Sequence, residues 1–207
     1  MTILIVAATK DEILPSIPLL EKRNIPYLIT GVGMVATAYH LGQELLKNKY
    51  DLILNVGIAG AFGNNKNIGD VIYISKDSIA ELGAEDGQQF LSLEELGFGT
   101  SSWSGVIPSN IVLDLPQAEA ISVNTIHGNE KSILKIRNRL PQIEIESMEG
   151  AAVYYVASLE NTAAIQVRAI SNYVKKRNKT TWNIPLAIEN LNLWLQNFIE
   201  NQYTTIY

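Results

Sequence analysis

Cysteine is absent from the 207-residue sequence. That excludes disulfides, thiolate metal sites and a thiol nucleophile together, and it fits a reducing compartment, so a cytoplasmic protein is expected. Histidine is nearly absent too. His40 and His127 are the only two, which argues against a histidine-built metal site and against a Ser-His-Asp triad. No apolar run approaches the roughly 20 residues of a membrane-spanning helix. The apolar start, residues 2–8, is too short for a secretory core and has no basic lead, so no membrane partner is expected. Lys and Arg number 16 against 21 Asp and Glu, a formal net charge of −5. Nucleic-acid affinity needs clustered cations facing phosphates. The one dense basic run, Lys175-Lys176-Arg177 with Lys179, is too short to supply it, so no nucleic-acid partner is expected either.

What is present is a hydrophobic content of 47%, enough for a substantial core, and a single domain over 1–207 is the expectation. Short apolar runs at 3–8, 27–30, 52–56, 70–74, 120–123 and 164–170 read as strands. Most are continuous rather than alternating, as strands covered on both faces are. Between them lie helical patterns. Residues 34–46 repeat apolar side chains at spacings of three and four, 132–139 form a short polar-faced helix ended by Pro141, and 149–159 are rich in small residues. Residues 185–199 form a terminal amphipathic helix entered through Asn183 as cap, with Pro185 in its first turn. Strands and helices alternate, so the class is α/β. The stretch 81–109 is rich in Gly, Ser and acidic residues, and reads as an irregular insertion over one face.

Five segments carry candidate chemistry. Gly31-Val32-Gly33-Met34-Val35-Ala36 follows a strand and opens a helix, as a dinucleotide-binding turn does. The acidic residue that should end the next strand is missing, since Asp51 begins that strand instead. A tight packing turn and a small-ligand loop are the other readings. Asn55-Val56-Gly57-Ile58-Ala59-Gly60-Ala61 runs from a strand into small residues, where a ligand can lie against backbone amides; a structural turn fits equally. Glu149, within Glu146-Ser147-Met148-Glu149-Gly150, stands at a helix start. Its carboxylate suits the adjacent 2′ and 3′ hydroxyls of a ribose, or it serves only the helix dipole. Arg168 lies inside the apolar run Val167-Arg168-Ala169-Ile170 and needs a partner. The Ser171-Asn172 pair after that run falls at the carboxyl end of a strand, where open parallel sheets bind ligands. Thr9-Lys10-Asp11-Glu12 lies at the same edge.

In this order along the chain, these segments resemble the nucleoside phosphorylase and nucleosidase superfamily, and within it the methylthioadenosine/adenosylhomocysteine nucleosidase branch. Gly69-Asp70 and Lys135-Ile136-Arg137 add to the likeness. Met148-Glu149 with Arg168-Ala169-Ile170-Ser171 is its strongest pair. The resemblance implies a central mixed, mostly parallel sheet flanked by helices, and cleavage of the bond between a purine base and its ribose without metal or cofactor. It implies that Glu149 binds the ribose hydroxyls and Met148 packs on the sugar. Glu12 would take a proton from the attacking water, and Arg168 would help to place both. Ile126 and His127 would frame the base over a floor of Ala59 and Gly60. Relatives often pair so that one subunit completes its neighbour's pocket, so a homodimer is expected.

One departure bears on specificity. Adenine-specific members end the strand motif in Ser-Asp and use the aspartic acid to protonate N7 of the base, whereas this chain has Ser171-Asn172. An asparagine amide offers one acceptor and two donors on one plane, which suits the O6 and N7 edge of hypoxanthine or guanine. Glu81-Leu82-Gly83-Ala84-Glu85-Asp86-Gly87, Phe90-Leu91-Ser92-Leu93 and Trp182-Asn183-Ile184-Pro185-Leu186 are similar to the futalosine hydrolase branch, which implies release of hypoxanthine from futalosine. A cation among Lys175, Lys176 and Arg177 would then meet the substrate's carboxylate, and Trp182 would stack on its ring; a solvated basic loop with a packed Trp is the other reading. Glu12 repels phosphate but suits water, and the turn at 31–37 holds no cation, so hydrolysis is favoured over phosphorolysis. A phosphorylase acting on inosine or guanosine, and a nucleoside- or dinucleotide-binding module without catalysis, are the alternatives.

Overall fold

The computed structural model describes residues 1–203. Strand β1 (Ile3–Ala7) is followed by helix α1 (Lys10–Ile13), a 3-10 turn (Leu14–Ser16), α2 (Ile17–Lys22), β2 (Tyr27–Ile29), α3 (Met34–Lys47), β3 (Leu52–Ala61) and β4 (Val71–Ile79). Then come β5 (Gly83–Asp86), β6 (Gln89–Ser92), α4 (Leu93–Leu96), β7 (Ser102–Ser104), β8 (Gln117–Ser122) and α5 (Glu130–Arg139). The chain continues through β9 (Ile145–Ser147), α6 (Gly150–Leu159), β10 (Ala163–Tyr173), a second 3-10 turn (Lys179–Thr181) and α7 (Ile184–Tyr203).

Among the described residues, eight strands share one mixed sheet. Pairings β1–β2, β1–β3, β3–β10, β4–β8 and β8–β9 are parallel; β4–β10, β3–β9 and β4–β7 are antiparallel. β3 keeps β10 on one side along its whole length. On the other side its first half pairs with β1, up to Asn55, and its end pairs with β9, from Gly60. The sheet therefore closes on itself through β3, β10, β4, β8 and β9, while β1 and β2 extend from it. Ala59, Ala61, Ile72, Ile74, Ala118, Ala120, Ile145 and Ile170 from these five strands share one buried cluster. Small side chains suit so narrow an interior.

The continuous apolar run of β1 follows from helices on both faces. Ile3, Ile5 and Ala7 pack with Leu20 of α2 and Leu191, Leu195 and Phe198 of α7. Leu4 and Val6 point the other way, to Leu41 and Leu45 of α3 and Val153 and Val156 of α6, as the two-residue period of a strand requires. The cap expected at Asn183 is present: its side chain accepts the Leu186 N–H at 3.3 Å and its carbonyl the Ala187 N–H at 3.2 Å.

Several boundaries differ from those expected of the sequence. β3 runs to Ala61 rather than stopping at 56, and β10 runs to Tyr173, so Ser171 and Asn172 lie within a strand rather than beyond it. Pairing of β10 with β3 slips between Ile170 and Asn172, leaving Ser171 as the extra residue of a bulge that re-aims Asn172 and Tyr173. The 81–109 stretch is not irregular: it holds the β5–β6 hairpin, α4 and β7, the last paired to β4. No helix among the described residues is long and apolar enough to cross a membrane.

Candidate active site

β1 and β9 part company along one edge of β3, and between Asn55 and Gly60 that edge has no strand partner. A cavity of about 350 Å³ opens there, at the carboxyl ends of β1 and β3. Such a change of neighbour at strand ends is where α/β sheets present ligand sites. Of the residues expected to handle the sugar, the base and the water, Glu12, Ala59, Gly60, Ile126, Met148, Glu149 and Asn172 line this cavity, and Arg168 and His127 do not. Asp11, Glu146, Ser147, Ser171 and Trp182 share the wall.

Glu12 is buried at the start of α1. One carboxylate oxygen accepts the N–H and hydroxyl of Thr9, at 2.9 and 3.1 Å; the other accepts the Ile58 N–H at 3.1 Å. The Ile58 amide is one that the unpaired edge of β3 leaves without a strand, so the carboxylate completes the sheet's hydrogen bonding at that gap.

Glu149 is the N-cap residue of α6, yet its side chain makes no capping hydrogen bond to that helix. Its Oε1 instead accepts the N–H of Gly33 at 2.9 Å. Gly31 and Gly33 carry φ of +81° and +95°, a backbone that L side chains rarely adopt. The glycine turn therefore presents an amide to a carboxylate of the same chain. Burial pushes the Glu149 carboxyl above its ordinary value; Arg168 and the Gly33 amide pull it down, and the charge of Glu12 adds to the rise.

Arg168 does not line the cavity. It lies beneath the floor, 2% exposed, donating from Nε to Gln166 Oε1 at 3.0 Å and from Nη2 to Asn55 Oδ1 at 2.6 Å. Its Nη1 occupies the space where a side chain of Gly57 would stand, and that missing Cβ would also lie 2.8 Å from Glu12 Oε1. Gly57 is thus required by the approach of two functional groups rather than by a turn. Gly60 likewise leaves room for the Asn172 amide, whose Nδ2 would sit 3.2 Å from a Cβ there. Ser171 Oγ donates to Asn172 Oδ1 at 2.9 Å, and Asn172 Nδ2 donates to the Tyr173 carbonyl at 3.2 Å.

His127 is also set back from the main cavity. It lines a small adjoining recess with Glu146 and Asn172. Its main-chain N–H donates to Glu146 Oε1 at 2.9 Å, and its Nδ1 meets Glu146 Oε2 closely. The hydrogen bond to Glu146 raises the His127 pKa, against the opposing effect of burial. Glu146 was not singled out from the sequence; a carboxylate three residues before Glu149 gives no local sign that it will face a distant histidine. Lys175 and Arg177, expected to meet a carboxylate of the substrate, line this same recess beside Asn172 rather than grouping with Glu12 and Thr9. The Arg177 guanidinium lies 5.2 Å from the Trp182 ring centre.

Among the described residues, no Lys or Arg lines the main cavity, whereas Asp11, Glu12, Glu146 and Glu149 do. Three buried carboxylates, Glu12, Glu146 and Glu149, with a carboxamide and small apolar surfaces make a pocket able to bind hydroxyls, accept a proton and hold a flat polar ring. The chain belongs to the phosphorylase superfamily, whose family model matches residues 17–200; it is an enzyme of the phosphorylase and nucleosidase type. A futalosine hydrolase of Acidothermus cellulolyticus is 31% identical over 175 residues, covering 79% of this chain and 70% of that one. A 5′-methylthioadenosine/S-adenosylhomocysteine nucleosidase of Glaesserella parasuis is 27% identical over 183 residues, 82% of this chain and 78% of that one. In fold, the chain is similar to the native structure of futalosine hydrolase of Helicobacter pylori, with a TM-score of 0.78 at 13% identity, covering 96% of this chain and 97% of that one.

Proposed function

We propose that this enzyme hydrolyses the N-glycosidic bond of futalosine, releasing hypoxanthine and dehypoxanthine futalosine. The observation that carries the hydrolytic part is the charge of the cavity, acidic at four positions and without Lys or Arg in its lining. A phosphate dianion would meet repulsion there, while water needs only a base. Glu12 is that base, and Arg168, held behind it, orients the pair. The water oxygen bonds to C1′ as the C1′–N9 bond breaks; the electron pair leaves with the base, and Glu12 takes the water proton. The sugar passes through an oxocarbenium-like transition state, which Glu149 stabilises through the 2′ and 3′ hydroxyls while Met148 packs on the ring.

The choice of base follows from Asn172. With one N–H given to the Tyr173 carbonyl, its amide keeps a second to donate to the O6 and N7 acceptor edge of a 6-oxopurine over Gly60 and Ala59, with Ile126 at the side and His127 set behind through Glu146. The relative named futalosine hydrolase supports the same choice, and the one named 5′-methylthioadenosine/S-adenosylhomocysteine nucleosidase defines the competitor. Equal concentrations of futalosine, inosine and methylthioadenosine, offered without phosphate, test it by identification of the base released. Hypoxanthine from futalosine is the expected product; adenine from methylthioadenosine as the main product would refute it.

A further inference from the structure

Beneath the cavity floor lies a chain of buried polar groups whose hydrogen bonds converge from both ends on Asp77. Arg168 Nε donates to Gln166 Oε1 at 3.0 Å; Gln166 Nε2 donates to Asp77 Oδ2 at 3.0 Å. Ser122 Oγ donates to Asp77 Oδ1 at 3.1 Å and in turn accepts the N–H of Ala151, in the first turn of α6, at 2.9 Å. Asp77, Ser122 and Gln166 have no exposed surface. The first residue of α6 is Gly150, where any Cβ would overlap both the Asp77 carboxylate and the Gln166 amide. The backbone immediately after Glu149 is therefore seated directly on this pair.

The polarity of the chain is fixed at both ends. Arg168 can only donate, so the Gln166 amide must turn its oxygen to the guanidinium. Its nitrogen then requires an acceptor, and the Asp77 carboxylate supplies one. A buried carboxylate is costly unless its oxygens are satisfied, and here each accepts from a different element, β10 on one side and β8 on the other. We propose that Asp77 is a positioning residue: through Gln166 it holds the Arg168 guanidinium behind Glu12, and through Ser122 it holds the first turn of α6, which Glu149 immediately precedes. The proposal rests on the functional reading of Glu12, Glu149 and Arg168. It adds to it that both ends of the site, the water side and the sugar side, are tied to one carboxylate that touches neither water nor sugar.

The guanidinium itself gives a readout that a merely structural role would leave unmoved. In 15N-labelled protein the Arg168 Nε–H, assigned by its loss in Arg168→Lys, should exchange slowly with solvent. Asp77→Asn and Gln166→Met should each speed that exchange roughly tenfold or more, and Lys76→Ala, on the same strand, should leave it unchanged. In both variants kcat for base release should fall roughly tenfold or more while KM stays within about threefold. If Asp77→Asn does not fold, Gln166→Met carries the same test. Unaltered exchange, or faster exchange with kcat retained, overturns the proposal. Faster exchange in both variants of a protein whose wild type cleaves no purine nucleoside would support the tie and contradict the functional reading instead.

Discussion

Glu149 Oε1 accepts the N–H of Gly33 at 2.9 Å, joining two segments 116 residues apart. One is a glycine turn that opens α3 and the other is the residue before α6; neither motif alone indicates the other. Their contact converts a glycine turn into a support for a carboxylate that lines the cavity.

Glu149→Gln should keep this contact, because a glutamine oxygen still accepts the Gly33 N–H, so the variant should fold. It should lose roughly a hundredfold in kcat/KM, corresponding to about 3 kcal/mol of transition-state stabilisation. The carboxyl is raised above its ordinary 4.5 by burial, and it must be ionised to accept two hydroxyl protons. The kcat/KM of the wild type should therefore decline as pH falls through a value above 4.5, and the residual activity of the variant should lack that limb. A limb unchanged in the variant would assign it to another group.

Glu12→Gln should bind nucleoside and turn it over very slowly. Glutamine cannot accept the water proton, and its NH₂ would face either Thr9 or Ile58, both of which now donate to Glu12. Equilibrium binding with single-turnover kinetics separates the two effects. Near-wild-type turnover would mean that water is activated elsewhere.

Asn172→Asp should shift preference away from hypoxanthine. The carboxylate keeps an acceptor for Ser171 Oγ, which donates at 2.9 Å to Asn172, but it loses the N–H that complements O6. The ratio of kcat/KM for 6-oxopurine and 6-aminopurine nucleosides checks this, with a loss of roughly tenfold or more in that ratio expected. An unchanged ratio would assign base reading to the backbone near Ile126 and His127.

Asp77 makes a prediction about stability. Burial lifts its pKa from 3.8 to about 6, against the pull of Gln166, Arg168 and Ser122, with Tyr154 the other titratable group packed near it. The folded protein therefore holds this proton more tightly than the unfolded chain does. That contribution to stability is greatest below about pH 4 and is lost as pH rises to about 6, leaving the wild type about 3 kcal/mol worse off at pH 7 than an unshifted carboxyl would. Asp77→Asn should remove this dependence. Urea unfolding of both proteins from pH 4 to pH 7 should show the variant gaining relative to the wild type as pH rises; a constant difference would contradict the assignment.

The parts of this architecture that local pattern encodes were legible in the sequence. β1 and β10 announce themselves as unbroken apolar runs because helices cover both faces, and Asn183 marks the start of α7 by its own side chain. Glu12, Glu149 and Asn172 stand out at element ends, and one cavity gathers them. What the sequence hid depends on neighbours distant in the chain. Gly57 and Gly60 look like turn residues, but they lie inside β3, where Arg168 and Glu12 crowd the place of the first side chain and Val174 and Asn172 that of the second. Gly150 looks like a poor start to a helix until Asp77 and Gln166 are seen against it. The β5–β6 hairpin leaves no mark in the sequence because neither strand holds a fully buried residue, so they carry no core-facing alternation.

The most direct test of the central claim is turnover of futalosine in phosphate-free buffer made with 18O-labelled water. Hypoxanthine should appear at the same rate with and without added phosphate, and the label should be found in the hydroxyl on C1′ of the sugar product. Release of hypoxanthine only when phosphate is present, with a sugar phosphate as co-product, would contradict it.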